Sequence, residues 1–335
     1  MKESLRAFMH GLIDYAGLFP PANLPLNEAI DDYIKHLKGE NSWMLGKFII
    51  PISKLDNLDV FVTLFDDIGG LKLAVLGSGG NSDDEYLNNL GKDIAKINGY
   101  RKKHDGKVKI EVYECKLASN SPTEETMKNA TDLLNENNLS HYHEFPKLPD
   151  VGINYSTEQD ESSWDKIVLP TVKMISIFDG AGIKLRCGGT VKEAFPSVEQ
   201  VAAIIQTCAL SGISMKCTAG LHHPIRHFAD EYDSYMHGFI NTFSAGVFTS
   251  KFPNPENSKE KYRMFILLSH MIDEQDSQNF EFTDDKMTWK VGDDRDTVFE
   301  FNTENIDDCR KKRMISYGSC SFQEPIDDLK QLGWM

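Results

Sequence analysis

Short apolar or β-branched runs alternate along this chain with longer segments of helical period, a pattern that leaves few architectures open. Strands are expected at residues 12–16, 44–50, 71–76, 108–115, 141–145, 183–187, 214–219 and 314–317. A helix over 26–37 carries Leu26, Ala29, Ile30, Tyr33, Ile34 and Leu37, a single 3–4 stripe. Asp83 or Asp84 caps a long helix reaching about residue 103, and Thr123-Glu124-Glu125-Thr126 is a capping signature for the next. Further helices are expected at 164–178, after Ser197, and at 325–332. Eight strands, most followed by a helix, predict an α/β chain forming one (β/α)8 TIM-like barrel domain. An open doubly wound α/β sheet is the alternative; it usually stops at five to seven strands. Residues 250–310 break the rhythm and read as an α+β subdomain or lid inserted between strands seven and eight. In it, Phe280-Glu281-Phe282 and Thr297-Val298-Phe299-Glu300-Phe301 have the alternation of an antiparallel pair.

Composition narrows the class of partner. With 36 Lys+Arg against 51 Asp+Glu, the 335-residue chain carries a formal charge of −15 and shows no basic face for nucleic acid. No run of about 18 apolar residues suggests a membrane span, and the first eleven residues lack the pattern of a secretory signal. Six widely spaced cysteines without a CxxC pair read as reduced thiols of a cytoplasmic protein. Exposed helices and an antiparallel edge would suit a homodimer.

Strands buried on both faces should be continuous apolar runs, yet several here alternate. Ile110 and Val112 alternate with Glu111 and Tyr113. Tyr142 shares a face with Glu144, Leu185 and Cys187 alternate with Lys184 and Arg186, and Met215, Cys217 and Ala219 alternate with Lys216 and Thr218. If the apolar set meets the helices, the polar set points into the barrel, and Glu111, Glu144, Arg186 and Lys216 face one another. Buried charges cost several kcal/mol each unless paired, so such an interior suits a polar ligand better than it suits stability. A purely structural ion network is the competing reading. Lys216 is the candidate nucleophile or carbonyl polariser. Arg186 nearby would favour its free amine, while pairing with Glu144 or Glu111 would oppose that. Cys187 and Cys217 fall on the helix-facing set, as do His141 and His143.

Substrates of such barrels bind at the carboxyl ends of the strands, where this chain is rich in glycine: Gly77-Ser78-Gly79-Gly80, Gly188-Gly189, Gly220 and Gly318-Ser319. Backbone N–H groups in such turns can approach an anion, and the loop before the last helix is the usual phosphate position. Gly188, Gly189, Thr218, Gly220, His223, Asp14, Gly318 and Ser319, with Arg186, form the candidate substrate-binding set. His222 is a candidate acid/base near neutral pH beside Glu144. Neither GxGxxG nor GxxxxGK[ST] occurs, so no cofactor is expected. The alternative is a divalent metal held by His222, His223 and Glu144 or Asp14, serving a hydrolase or lyase.

The segments Asp14-Tyr15-Ala16-Gly17-Leu18-Phe19-Pro20-Pro21-Ala22, Lys184-Leu185-Arg186-Cys187-Gly188-Gly189, Thr218-Ala219-Gly220-Leu221-His222-His223-Pro224 and Gly318-Ser319-Cys320-Ser321-Phe322 resemble those of a family of uncharacterised bacterial proteins. That resemblance implies no particular activity. A looser resemblance, to Schiff-base aldolases of this barrel fold, rests on a strand-borne lysine. Those enzymes usually carry it on the sixth strand; here Lys184 lies early in strand six and Lys216 on strand seven. The residues together suggest a lyase, aldolase or isomerase acting on a small anionic carbonyl metabolite such as a keto acid or sugar phosphate. A non-catalytic small-molecule binder is the reading from another class.

Overall fold

The computed structural model describes residues 1–146, 164–252, 255, 257–291 and 297–335. In chain order the strands are β1 (Ile13–Tyr15), β2 (Leu45–Pro51), β3 (Leu71–Leu76), β4 (Val108–Lys116), β5 (Ser140–Glu144), β6 (Ala181–Arg186) and β7 (Ser214–Thr218). A hairpin of β8 (His227–Ala229) and β9 (Ser234–Met236) follows, then a sheet of β10 (Phe280–Phe282), β11 (Lys286–Val291) and β12 (Thr297–Asn302). The last strand, β13 (Met314–Ser319), lies between β1 and β7 and closes a parallel barrel in the order β1-β13-β7-β6-β5-β4-β3-β2. The chain is a (β/α)8 barrel. The open sheet is excluded because β1 pairs on both sides, with β13 and with β2.

Helix ends follow from local chemistry. Ser197 and Gln200 form a reciprocal capping box at the start of Val198–Leu210, the Gln200 N–H donating to Ser197 Oγ at 3.3 Å and the Ser197 N–H to Gln200 Oε1 at 2.8 Å. Ser82, rather than Asp83 or Asp84, caps Asp83–Lys103 by accepting the Glu85 N–H. Asp83 instead accepts the Thr123 N–H at 3.0 Å, tying this helix to the next one's cap.

The inserted region differs from expectation in two ways. Phe280–Phe282 and Thr297–Asn302 do not pair with each other; both flank β11. The sheet also lies at the end of the barrel where strands begin. There it packs on the N-terminal helix Glu3–Met9, with Ser4 donating from N and Oγ to the Thr283 carbonyl (3.2 and 2.6 Å) and Phe8 edge-on to Phe282. The described residues of this sheet therefore do not cover the mouth. Among the described residues no helix is long and apolar enough to cross a membrane.

The main core fills the space between strands and helices. Inside the barrel lies a smaller apolar cluster, Ala16, Ile49, Ala74, Val112 and Tyr142. The inward residues further along β4 to β6 are charged, and they share the lumen with that cluster.

Candidate active site

The phase of β4 decides which carboxylate enters the lumen. Leu73 pairs with Ile110 but the next residue, Ala74, pairs with Val112, so Glu111 is the extra residue of a β-bulge. Glu111 is exposed, and beyond it the inward set is Val112, Glu114 and Lys116. The expectation that Glu111 and Tyr113 point inward is thus corrected: strict alternation was counted through a residue that interrupts it. Tyr113 faces the helices, donating to Asp93 at 2.8 Å. The expectations for β5, β6 and β7 are met, with Glu144, Lys184, Arg186 and Lys216 directed to one interior.

These side chains form one line of alternating charge. Arg186 Nε donates to Glu144 Oε1 at 3.0 Å, and Glu144 Oε2 lies 3.3 Å from Lys184 Nζ. Lys184 Nζ lies 2.8 Å from Glu114 Oε2, and Glu114 Oε1 pairs with Lys216. Lys216 reaches Asp14 Oδ2 at 2.7 Å and sits over the Tyr142 ring. Asp14 is held in turn by Ser316 Oγ and the Lys47 N–H, both at 2.6 Å. All are buried except the Arg186 side chain, which is 41% exposed.

Burial works against every ionised form here, and pairing overcomes it. Desolvation would raise the Glu114 pKa, but Lys184 and Lys216 hold it down, to about 2. Desolvation pulls Lys184 down while Glu114 and Glu144 push it further up, and the net direction is up. Lys216 is raised above the usual lysine range in the same way, by Asp14 and Glu114. Both lysines are therefore ammonium ions at rest, the opposite of what an adjacent arginine alone would give.

A cavity of about 300 Å³ opens over this line at the carboxyl ends of the strands. One wall is charged, with Glu114, Lys116, Glu144, Lys184 and Arg186 beside Thr218; the other is apolar, with Ala16, Phe19, Ile49 and Leu76. Lys216 and Asp14 are not on its surface. They lie behind Glu114, so of the two buried lysines the one that meets the cavity is Lys184. The signal for it was present in the same alternation as Arg186; Glu114 was legible only once the bulge was known.

The mouth loops serve other purposes than those expected of them. Gly188 and Gly220 are where two turns cross: a Cβ on Gly188 would sit 2.9 Å from the Gly220 Cα, and Gly220 has a φ of +69°. Gly189 abuts Ala194, and Gly318 lies under Ile49 and Thr218. Ser319 Oγ is spent on Ser321, donating to its carbonyl at 2.7 Å. His222 and His223 do not line the cavity; their Nδ1 atoms lie 3.1 Å from Glu324 and 2.6 Å from Asp328 on the last helix, Gln323–Gln331. This places His222 away from Glu144, so the two do not form one acid/base pair. Among the described residues no group of three or more His, Cys, Asp or Glu is arranged to hold a metal ion.

No protein-family model matches the chain, and no curated protein matches it. Solved barrels do. The carboxyl transferase domain of Rhizobium etli pyruvate carboxylase, solved with pyruvate, is similar at a TM-score of 0.43 and 10% identity, over 82% of this chain and 51% of that one. The chain thus spans about half the length of that protein. A dihydrodipicolinate synthase is similar at a TM-score of 0.34 and 13% identity, over 97% of this chain and 100% of that one. These are likenesses of fold.

Proposed function

We propose that the chain is a barrel enzyme of lyase, aldolase or isomerase type, acting on a small anionic carbonyl compound. The observation that carries this reading is a buried ammonium group, Lys184, on the cavity surface between two carboxylates and next to a half-exposed guanidinium. Arg186 binds the anionic group of the substrate; its Nε is engaged, and its terminal nitrogens have no partner among the described residues. Lys184, held as a cation, donates to the carbonyl oxygen and stabilises the negative charge that develops there. Glu144 touches both cations and takes the proton from the carbon next to the carbonyl. Lys216, itself held by Asp14, acts from behind to keep Glu114 ionised. Because Lys184 is protonated at rest, polarisation of the carbonyl suits this site better than condensation to a Schiff base.

Proton removal beside a carbonyl is common to the three reaction types, so it can be tested before the reaction is known. In D2O, ¹H NMR should show exchange of those carbon-bound protons for one or more members of a panel of 2-oxo acids and sugar phosphates. Lys184→Met and Glu144→Gln should each lose about 10²-fold or more of that exchange. Binding without exchange anywhere in the panel would instead support a non-catalytic binder.

A further inference from the structure

We infer that the substrate is a monoanionic 2-oxo acid with an apolar side chain rather than a sugar phosphate. This rests on the anionic-carbonyl reading and narrows it. The first argument is charge. On the cavity surface itself stand two carboxylates (Glu114, Glu144) and three cations (Lys116, Lys184, Arg186). One positive charge is left over. That balances one carboxylate and leaves a phosphate dianion undercompensated in a site where desolvation is costly.

The second argument is that the seats a phosphate would use are taken. In the loop after β3, the Ser78 N–H and Oγ both donate to Asp93, each at 2.7 Å, which also sets a buried carboxylate behind that loop. In the loop after β13, Ser319 Oγ accepts the Ser321 N–H, Ser321 Oγ accepts the Glu324 N–H, and the Glu324 carboxylate stands at the start of the helix. In both loops the serine groups nearest the strand ends are already engaged, and each loop has a carboxylate beside it that would repel a phosphate.

The third argument is the opposite wall. Ala16, Phe19, Ile49 and Leu76 present no side-chain donor or acceptor, so the hydroxyls of a sugar would lose water there without replacement. An aliphatic or aromatic chain fits that wall, with the carboxylate on the Arg186 fork and the 2-oxo group at Lys184. A cavity of about 300 Å³ is at the small end of ligand sites and suits an acid of this size.

Titration calorimetry of the full chain with 2-oxo acids of three to six carbons, and with dihydroxyacetone phosphate and glyceraldehyde 3-phosphate, tests the inference. Affinity should rise about fourfold per buried methylene along the acid series, and both phosphates should bind more weakly than the six-carbon acid. Phe19→Ser and Leu76→Ser, both at half-buried positions and each checked for an unchanged circular dichroism spectrum, should flatten the series. A flat series in the wild type, or phosphates that bind more tightly than the acids, overturns the inference and leaves the anionic-carbonyl reading standing. Failure of both series to bind overturns both.

Discussion

Glu114 carries more of the site than any other side chain, because it is the one carboxylate shared by two buried lysines. Its value depends on remaining ionised. Replacement by glutamine leaves Lys184 with Glu144 alone and Lys216 with Asp14 alone, and unbalancing a buried network typically costs about 3–5 kcal/mol. The pH dependence has a definite sign. With its folded pKa near 2, against an ordinary value of 4.5, Glu114 binds fewer protons folded than unfolded between those limits. Its contribution is therefore complete above about pH 4.5 and drains away as the pH falls towards 2. Urea unfolding should show Glu114→Gln several kcal/mol less stable than wild type at pH 7, with the gap closing between pH 4.5 and 2.5. A gap below about 1 kcal/mol at pH 7 would show that the line of charge is not coupled as its distances imply. At this scale the sequence was half legible: Glu144, Lys184, Arg186 and Lys216 followed from alternation. That Lys184 faces the cavity and Lys216 lies behind did not, since strand parity says nothing about depth along the barrel axis.

The element that misled the reading is β4, and its bulge explains why. Val108-Lys109-Ile110-Glu111-Val112 alternates as a regular strand would, so nothing local marks Glu111 as the residue that breaks the ladder. The break shows only in the register, where β3 sets one residue against two of β4. Two substitutions separate the residue from the backbone it interrupts. Glu111→Gln changes an exposed side chain and should leave stability within about 0.5 kcal/mol and proton exchange at the wild-type rate. Deleting Glu111 removes the bulge but leaves Ile110 and Val112 as successive partners of Leu73 and Ala74, so Glu114 still faces the lumen and Tyr113 the helices, and cooperative unfolding and ligand binding should both persist. A deletion variant that unfolds without cooperativity or no longer binds ligand would mean that Glu111 does more than fill the bulge. Elements with strong periodicity or caps, such as 26–37 and the helix after Ser197, were read nearly to the residue, whereas β11 between its two neighbours was not recognised at all.

Closure of the whole barrel rests on its shortest strand. β1 has three residues, yet it must bridge β13 and β2 and carry Asp14 into the charged line. The alternation of strands and helices made the barrel legible, but nothing in the order of elements says which end the 250–310 segment covers, and that is settled by packing against the N-terminal helix. Arg310, on the helix Thr303–Lys312 that leads into β13, fastens the two chain ends there. Its Nε donates to the Phe8 carbonyl at 2.8 Å, Nη1 to the Ile315 carbonyl at 2.6 Å, and Nη2 to the His10 carbonyl at 3.3 Å. It is buried, and burial brings its pKa down to about 10, so it remains a cation at neutral pH. Arg310→Met would leave those carbonyls unpaired, at about 1–3 kcal/mol each where water cannot reach them. The loss should be concentrated at the seam. Hydrogen exchange should accelerate at the Ala16 and Tyr317 amides, which bond across β1 and β13 to the Ser319 and Leu12 carbonyls, before it changes in β3 to β5. Ligand affinity should weaken in the same variant, because β1, which carries Asp14, is loosened while Arg186 and Glu144 are untouched. Arg310→Lys should recover only part of both effects, since one ammonium cannot span the carbonyls that the guanidinium fork does. If the amides of β1 exchange no faster in Arg310→Met, the seam is held by strand pairing alone and the arginine is dispensable to closure.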